Sequence, residues 1–364
     1  MGVSIRQIAQ LAGVSRGTVD RALNDRAGIN PQIKSRIQAI AAEKGYKTNR
    51  AGKMLGICRK PLRIGIQMPA IGNDFFDEVR QGIDQAAAEL ADLGLVLSVR
   101  TTKGFAVDNQ IAQIRSLLAE GISGLAFAPI DHPDVTGLLA ELAAARIPVA
   151  FFNTEISTGP HLSYVGNDYT RSGRIAAGIF GLLSAGQQLR TLIITGSTQI
   201  LGHNQRIHGF NQVIRRYYPA VTILDIQENQ DDDERSASLV SDALQRWPDM
   251  NALYLTAGGV AGACRALQES AGGRLIRVVC FDQTHSTAHY LREGVITAAI
   301  GQEPVRQGYE SVRQLFDYLL DGTAPPRRTL TRNEIWIREH LIDDSLFGCS
   351  REGEYNGQDL FDRY

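Results

Sequence analysis

Apolar residues follow one period at the start of this chain and another beyond it. In the first fifty residues the spacing is helical. Ile5, Ile8, Ala9 and Ala12 fall at i, i+3, i+4 and i+7; Val19, Ala22 and Leu23 form a second face; Ile33, Ile37, Ile40 and Ala41 form a third. Ser4, with Gln7 three residues on, makes an S-x-x-Q capping box. Gly13 breaks the first stretch and Ser15 can cap the second. Asn30-Pro31 reads as the N-cap and first-turn proline of the third, which Gly45 ends. The pattern predicts three short helices packed by their apolar faces, the first two joined by a tight glycine turn.

From Arg63 onward, short apolar runs alternate with helical stretches. Residues 64–68, 95–99, 125–130, 149–152, 192–195, 221–226, 253–256, 278–281 and 296–300 read as strands. Residues 76–93, 111–118, 175–183 and 308–320 read as helices. Repeated β-α units predict an α/β architecture of parallel sheets flanked by helices. A segment of this size divides more naturally into two lobes than one. The expected organisation is a helical domain over 1–48, a linker over 49–61, a two-lobed domain over 62–343 and a polar tail over 344–364.

Composition excludes several classes. Of 364 residues, 43% are hydrophobic and 21% charged, as in ordinary globular proteins rather than disordered or disulfide-framework chains. No apolar run approaches the roughly 18 residues of a membrane span, and the first residues lack a signal-type apolar stretch. No membrane association and a cytoplasmic location are expected. Cys58, Cys264, Cys280 and Cys349 are scattered without C-x-x-C spacing, which suits a reducing compartment and argues against a zinc knuckle.

The net charge of −1 conceals an asymmetry. Residues 1–60 carry twelve Lys/Arg against three acids, a net of +9, and the remainder is −10. A compact basic module on an acidic body points to nucleic acid, because clustered Lys/Arg displace counterions from phosphates. Two short helices, a glycine turn and a supporting helix form a helix-turn-helix arrangement. Its second helix would enter the major groove through Ser15, Arg16, Gly17 and Thr18, with Arg21 one turn on. Arg16 and Arg21 can donate bidentately to guanine O6 and N7. Thr18 can meet a phosphate or a thymine methyl, and Gly17 lets the backbone approach closely.

The run from Val3 to Asn24, continuing through Ile29-Asn30-Pro31 and Gly45-Tyr46-Lys47-Thr48-Asn49, resembles the N-terminal signature of the LacI/GalR family of bacterial transcription regulators. The resemblance implies a hinge segment that folds on operator DNA and wedges a leucine into the minor groove. Here it reads Asn49-Arg-Ala-Gly-Lys-Met-Leu55, so Asn49, Ala51 and Leu55 join the expected DNA-binding set. Two positions depart from the pattern. Gly52 replaces a helix-favouring alanine, and Asp20 stands where many members have serine. A homodimer is implied, since palindromic half-sites demand two-fold symmetry; the tail carries no leucine heptads.

The larger domain resembles the ribose-type periplasmic sugar-binding fold. That implies three crossings between lobes, near Asn167, Gln302 and Thr323, and a small-molecule effector, a sugar or polyol, in the cleft. Ligands of open parallel sheets sit beyond the carboxyl ends of the strands. Phe75 and Phe76 follow the first strand, Asn153 ends the fourth, Arg206 follows the fifth, Asp282 ends Val-Val-Cys-Phe-Asp and Gln302 ends Ala-Ala-Ile-Gly-Gln. By resemblance these are sugar-contact positions, and aromatic faces with Arg, Asp, Asn and Gln suit a polyhydroxylated ring. Asn153 stands where the type has aspartate, Thr154 where it often has arginine, and 256–259 where it has an Asn-Asp pair. Plainer readings exist: one of Phe75-Phe76 as core, and Asp282 as the N-cap of the next helix.

Other features carry no chemistry in this reading. His285 and His289 are spaced i, i+4 but lack an HExxH pattern, so no metal is expected. Residues 231–234, Asp-Asp-Asp-Glu, read as a solvated helix start favoured by the helix dipole. No phosphate-binding glycine loop, nucleophile elbow or paired catalytic carboxylates occur, so neither a cofactor nor an enzyme is expected. The function implied is a ligand-responsive, sequence-specific DNA-binding regulator, most simply a repressor of sugar or polyol catabolic genes. The alternatives are a solute-binding component of an uptake system and a sugar-active enzyme with a DNA-binding appendage.

Overall fold

The structure is a computed structural model; it describes residue 3 and residues 5–23, 28–44 and 61–342. Ser4, Asn49, Ala51 and Leu55 lie outside the described residues. Residue contacts divide the chain into two units, 1–59 and 60–364.

In the first unit, α1 (Ile5–Ala12), α2 (Arg16–Leu23) and α3 (Pro31–Glu43) pack around Ile8, Ala9, Ala12, Val19, Ala22, Ile37 and Ala41. The turn between α1 and α2 closes on Gly13 at φ 65°, a left-handed conformation that favours glycine. Ser15 caps α2 by accepting from the Thr18 N–H at 3.1 Å, and Asn30 caps α3 by accepting from Gln32 N–H at 2.9 Å. The expected inward stripe of α3 is corrected at Ile33, which is exposed. It sits in the first turn of α3, one turn before the buried Ile37, so the stripe outruns the covered part of the helix.

The second unit holds two six-stranded sheets. The first lobe contains β1 (Leu62–Met68), β2 (Leu95–Thr101), β3 (Gly124–Phe127), β4 (Val149–Asn153) and β5 (Ser163–Gly166), covered by α4 (Phe75–Leu90), α5 (Val107–Ala119) and α6 (Pro133–Ala144). The second contains β6 (Leu189–Thr195), β7 (Val221–Glu228), β8 (Ala252–Leu255), β9 (Arg277–Phe281) and β10 (Ala298–Gly301). Its helices are α7 (Tyr169–Ser184), α8 (Leu201–Tyr217), α9 (Asp233–Arg246), α10 (Val260–Ser270) and α11 (His285–Arg292). The chain then returns through α12 (Pro304–Asp321), which packs on α4, to β11 (Arg328–Leu330) and β12 (Glu334–Trp336).

Strand order is β11-β5-β4-β3-β1-β2 in the first sheet and β12-β10-β9-β8-β6-β7 in the second. All pairs are parallel except β10–β12. The central strands are buried along all of their apolar residues, which explains why they read as continuous apolar runs rather than alternations.

The chain crosses between sheets after β5 and again after β10. The third crossing corrects the sequence expectation. It lies at 331–333, not near Thr323, because β11 first pairs with β5 (Arg328 opposite Tyr164) before β12 joins the other sheet. Gly322, at φ 78°, ends α12, and Pro325-Pro326 leads into an edge strand rather than across the gap.

The backbones of α4 and α12 touch where two glycines stand. A Cβ on Gly82 would lie 1.8 Å from Val305 O, and one on Gly308 would lie 2.0 Å from Val79 O. These contacts lock α4 against α12, which ties the returning chain to the first lobe.

Candidate ligand cleft

Between the two sheets lies a cleft lined by residues from the carboxyl ends of strands in both lobes. Phe75, Phe76, Asn153, Arg206, Asp282 and Gln302 all line it. Both phenylalanines are buried, with ring centroids 5.2 Å apart in an edge-to-face arrangement, so each is packed and each also faces the cleft. Asn73 starts this segment by accepting from the Phe75 N–H at 3.2 Å.

Arg206 is the centre of the second lobe's wall. It is 2% exposed, and its guanidinium lies 3.5 Å from the Phe281 ring centroid and 4.6 Å from that of Tyr169. Nη1 donates to Thr256 O at 2.5 Å, while Nε and Nη2 have no partner. A buried guanidinium with two unpartnered nitrogens is costly unless a ligand completes it. Tyr169 is held in turn by donating to Asn153 O at 2.5 Å, and Tyr164 donates to the same oxygen at 2.9 Å.

Asp282 follows β9 directly, at φ 67°. Gln302 Nε2 donates to its Oδ1 at 2.8 Å, while Gln302 Oε1 is buried and unpartnered. The N-cap reading of Asp282 is excluded, because Thr284 caps α11 by accepting from the Thr287 N–H. Burial pushes the Asp282 carboxyl up to about 6, against the opposing pull of Arg206 and the Gln302 amide.

The reading of 231–234 is corrected. Asp232 caps α9 by accepting from the Arg235 N–H, and Asp233 and Glu234 are exposed in its first turn. Asp231 instead turns into the cleft at φ 56°. Its Oδ1 accepts from the Gly258 N–H at 3.0 Å and its Oδ2 from Asn73 Nδ2 of the opposite lobe at 3.2 Å. Burial pushes this carboxyl up to about 6 as well. The acidic run misleads because it reads as one charged patch, whereas its first residue belongs to the turn that leaves β7.

Three further lining residues escape the sequence reading: Phe105 after β2, Tyr169 opening α7, and His203 in α8. Phe105 and His203 meet edge to face across the cleft, 6.1 Å between centroids. His203 packs on the Ser197 backbone, and burial with Arg206 nearby lowers its imidazole to about 3, leaving it neutral. Inspecting the loop after every strand would have found Phe105 and Asp231; Tyr169 and His203 carry no comparable signal.

In the helical unit, Ser15, Arg16, Gly17 and Arg21 are exposed and Thr18 is half-buried. A Cβ on Gly17 would meet only Ser15 Oγ at 3.8 Å and Arg21 Nη2 at 4.0 Å, ordinary contacts. Internal packing therefore does not require glycine at 17.

Residues 64–324 match the family described as "Periplasmic binding protein domain", and residues 4–49 match "Bacterial regulatory proteins, lacI family". Among curated relatives, the lactose operon repressor of Escherichia coli is 26% identical over 79% of this chain and 78% of its own. The HTH-type transcriptional regulator CelR of Thermobifida fusca is 23% identical over 92% of this chain and 97% of its own. The ribose import binding protein RbsB of Salmonella typhimurium is 25% identical over 71% and 85%. A solved glucose-galactose binding protein, GanP of Geobacillus stearothermophilus, superposes with TM-score 0.72 over 78% of this chain and 99% of its own, at 23% identity. The RbsB match spans too little of this chain to include both domains, whereas the CelR match covers both. The chain belongs to the LacI family of bacterial transcription regulators, a helix-turn-helix DNA-binding domain followed by a periplasmic-binding-protein domain.

Proposed function

We propose that this regulator is a cytoplasmic, homodimeric repressor whose affinity for operator DNA is switched by a small polyhydroxylated molecule bound between the lobes. One observation carries the reading. Arg206 is buried, fixed in plane by two aromatic rings, and carries two unpartnered nitrogens, Nε and Nη2, in the cleft that Asp282 and Gln302 also line. Hydroxyl groups both donate and accept, so vicinal hydroxyls satisfy the guanidinium and the carboxylate together. Phe75 and Phe76 give the C–H face of a ring an apolar wall.

In this reading the second helix of the N-terminal domain contacts operator bases through Arg16 and Arg21, supported by Ser15 and Thr18. Asn49, Ala51 and Leu55 belong to the segment that couples the two domains on DNA. Ligand binding works as a population shift: the effector favours whichever arrangement it binds more tightly, and operator affinity changes by the same free energy.

The test pairs a thermal-shift screen of sugars, polyols and cyclitols with fluorescence-anisotropy titration on an operator selected in vitro from random duplexes. Repressor function predicts that a stabilising ligand weakens operator binding. A selected duplex that is never enriched, with ligand still bound, would favour the solute-binding alternative.

A further inference from the structure

We infer that the effector is a polyhydroxylated amine, an amino sugar or amino polyol, whose ammonium group sits between the carboxylates of Asp231 and Asp282. The inference rests on the cleft being the effector site and narrows the ligand class.

The balance of charge in the cleft points there. Asp74, Asp231, Asp233 and Asp282 line it, against the single guanidinium of Arg206 and a neutral His203. The charge of Arg206 pulls on both inner acids, but it pairs directly with neither: its Nη1 is committed to Thr256 O, its faces to Phe281 and Tyr169, and Nε and Nη2 reach no acceptor, so one guanidinium is shared between two carboxylates. The partners Asp231 does have, the Gly258 N–H and the Asn73 amide, are uncharged, and so is the Gln302 amide on Asp282.

The Asp231 carboxylate occupies space kept free of side chains. A Cβ on Gly196 would lie 2.3 Å from its Oδ1, and one on Gly258 would lie 3.0 Å from its Cβ and Cγ. Asn229 fixes the turn that delivers it, accepting from the Asp231 N–H while donating to Gly258 O and Ser236 Oγ. The residues at 256–259 offer no charged side chain, so the carboxylate on this side of the cleft comes from the loop after β7 rather than from β8.

Ligand chemistry is then constrained. A neutral sugar entering this cleft leaves an uncompensated negative charge stripped of water. An anionic sugar adds a third negative group against one guanidinium. An ammonium group brings one compensating charge and three donors. The ligand's hydroxyls then accept from Arg206 Nε and Nη2 and donate to Gln302 Oε1, the polar atoms that lack partners.

The test is titration calorimetry of the full-length protein at pH 7.5 with matched triplets. Each triplet is an amine, its hydroxyl parent and its N-acetyl derivative: D-glucosamine, D-galactosamine, D-mannosamine and the 1-amino-1-deoxy polyols. At least one amine is expected to bind about tenfold or more tightly than both counterparts, as befits a charge-assisted contact. Asp231→Asn should bring that ratio close to one, and Asp282→Asn serves as a second carboxylate variant, each checked for cooperative melting. Parents binding as well as their amines would overturn the inference and leave the cleft reading standing. Silence from every amine, parent and derivative would overturn both, and an amine preference untouched by both variants would overturn the placement of the ammonium group.

Discussion

Asn73 Nδ2 donates to Asp231 Oδ2 at 3.2 Å, a bond between cleft-lining side chains of opposite lobes. The Asp131 N–H adds a backbone bond to Gln199 O at 3.3 Å nearby. Polar contacts as few as these are readily exchanged for ligand contacts, which is what a closing cleft requires. Asn73→Ala should remove about 1 kcal/mol from the closed arrangement. Small-angle scattering of the ligand-free protein should then show a larger radius of gyration; an unchanged profile would mean the bond does not bias closure.

Stability should respond to pH through the cleft acids. Asp231 and Asp282 are both raised to about 6 from a usual value near 3.8. The folded state therefore binds their protons more tightly, so their contribution is fully present below about 3.8 and is lost as pH rises through about 6. His203, lowered to about 3 by burial, acts oppositely: its contribution is present above 6.5 and lost as pH falls toward 3. Because the two overlap, single variants separate them. Asp231→Asn should raise the melting temperature more at pH 7.5 than at pH 5. Equal shifts at the two values would contradict the sign.

Arg206→Lys tests the stacked guanidinium. Lysine keeps the charge but loses the planar contacts with Phe281 and Tyr169, the bond to Thr256 O and the donors on Nε and Nη2. Effector affinity should fall by about 2–3 kcal/mol, near a hundredfold, with the protein still folded. Affinity within threefold of the parent chain would remove Arg206 from the site.

Two changes in the first domain should separate base reading from helix stability. Arg21→Ala should cost about 1–3 kcal/mol of operator affinity and relax preference at one base position. Gly17→Ala has room for its methyl and should stabilise α2 by up to about 1 kcal/mol. If the backbone at 17 approaches DNA closely, the same change weakens operator binding; a tighter complex would show that no close approach occurs there.

The sequence carried the fold where burial was complete. Central strands such as β4 and β9 were legible as apolar runs because helices cover both faces of their sheets. The strands that escaped, β5, β11 and β12, are three or four residues long and owe their pairing to distant partners such as Arg328 opposite Tyr164. The cleft lining was legible at Phe75, Phe76, Asn153, Asp282 and Gln302 from strand ends and the segments that follow them, together with the resemblance to the sugar-binding fold; Arg206, inside α8 beyond the loop after β6, rested mainly on that resemblance.

Asp231 was hidden by its neighbours. Asp232 to Glu234 do make the helix start that the pattern suggests, while the residue before them bends into the cleft at φ 56°. Asn153 and Asp282 share this left-handed backbone at φ 62° and 67°, and no sequence period announces it. Asn and Asp tolerate that conformation better than other residues bearing a side chain, and its recurrence at strand ends marks a site rather than a core.

The central claim is that one free energy couples the cleft to the operator. The most direct measurement is the effector dissociation constant by titration calorimetry, made with and without saturating operator duplex. Linkage requires that operator change effector affinity by the same factor by which effector changes operator affinity. For a repressor released by its ligand, effector binding should weaken on operator by about 5–150-fold, the usual span of such coupling. An effector constant that is identical with and without operator would contradict the account.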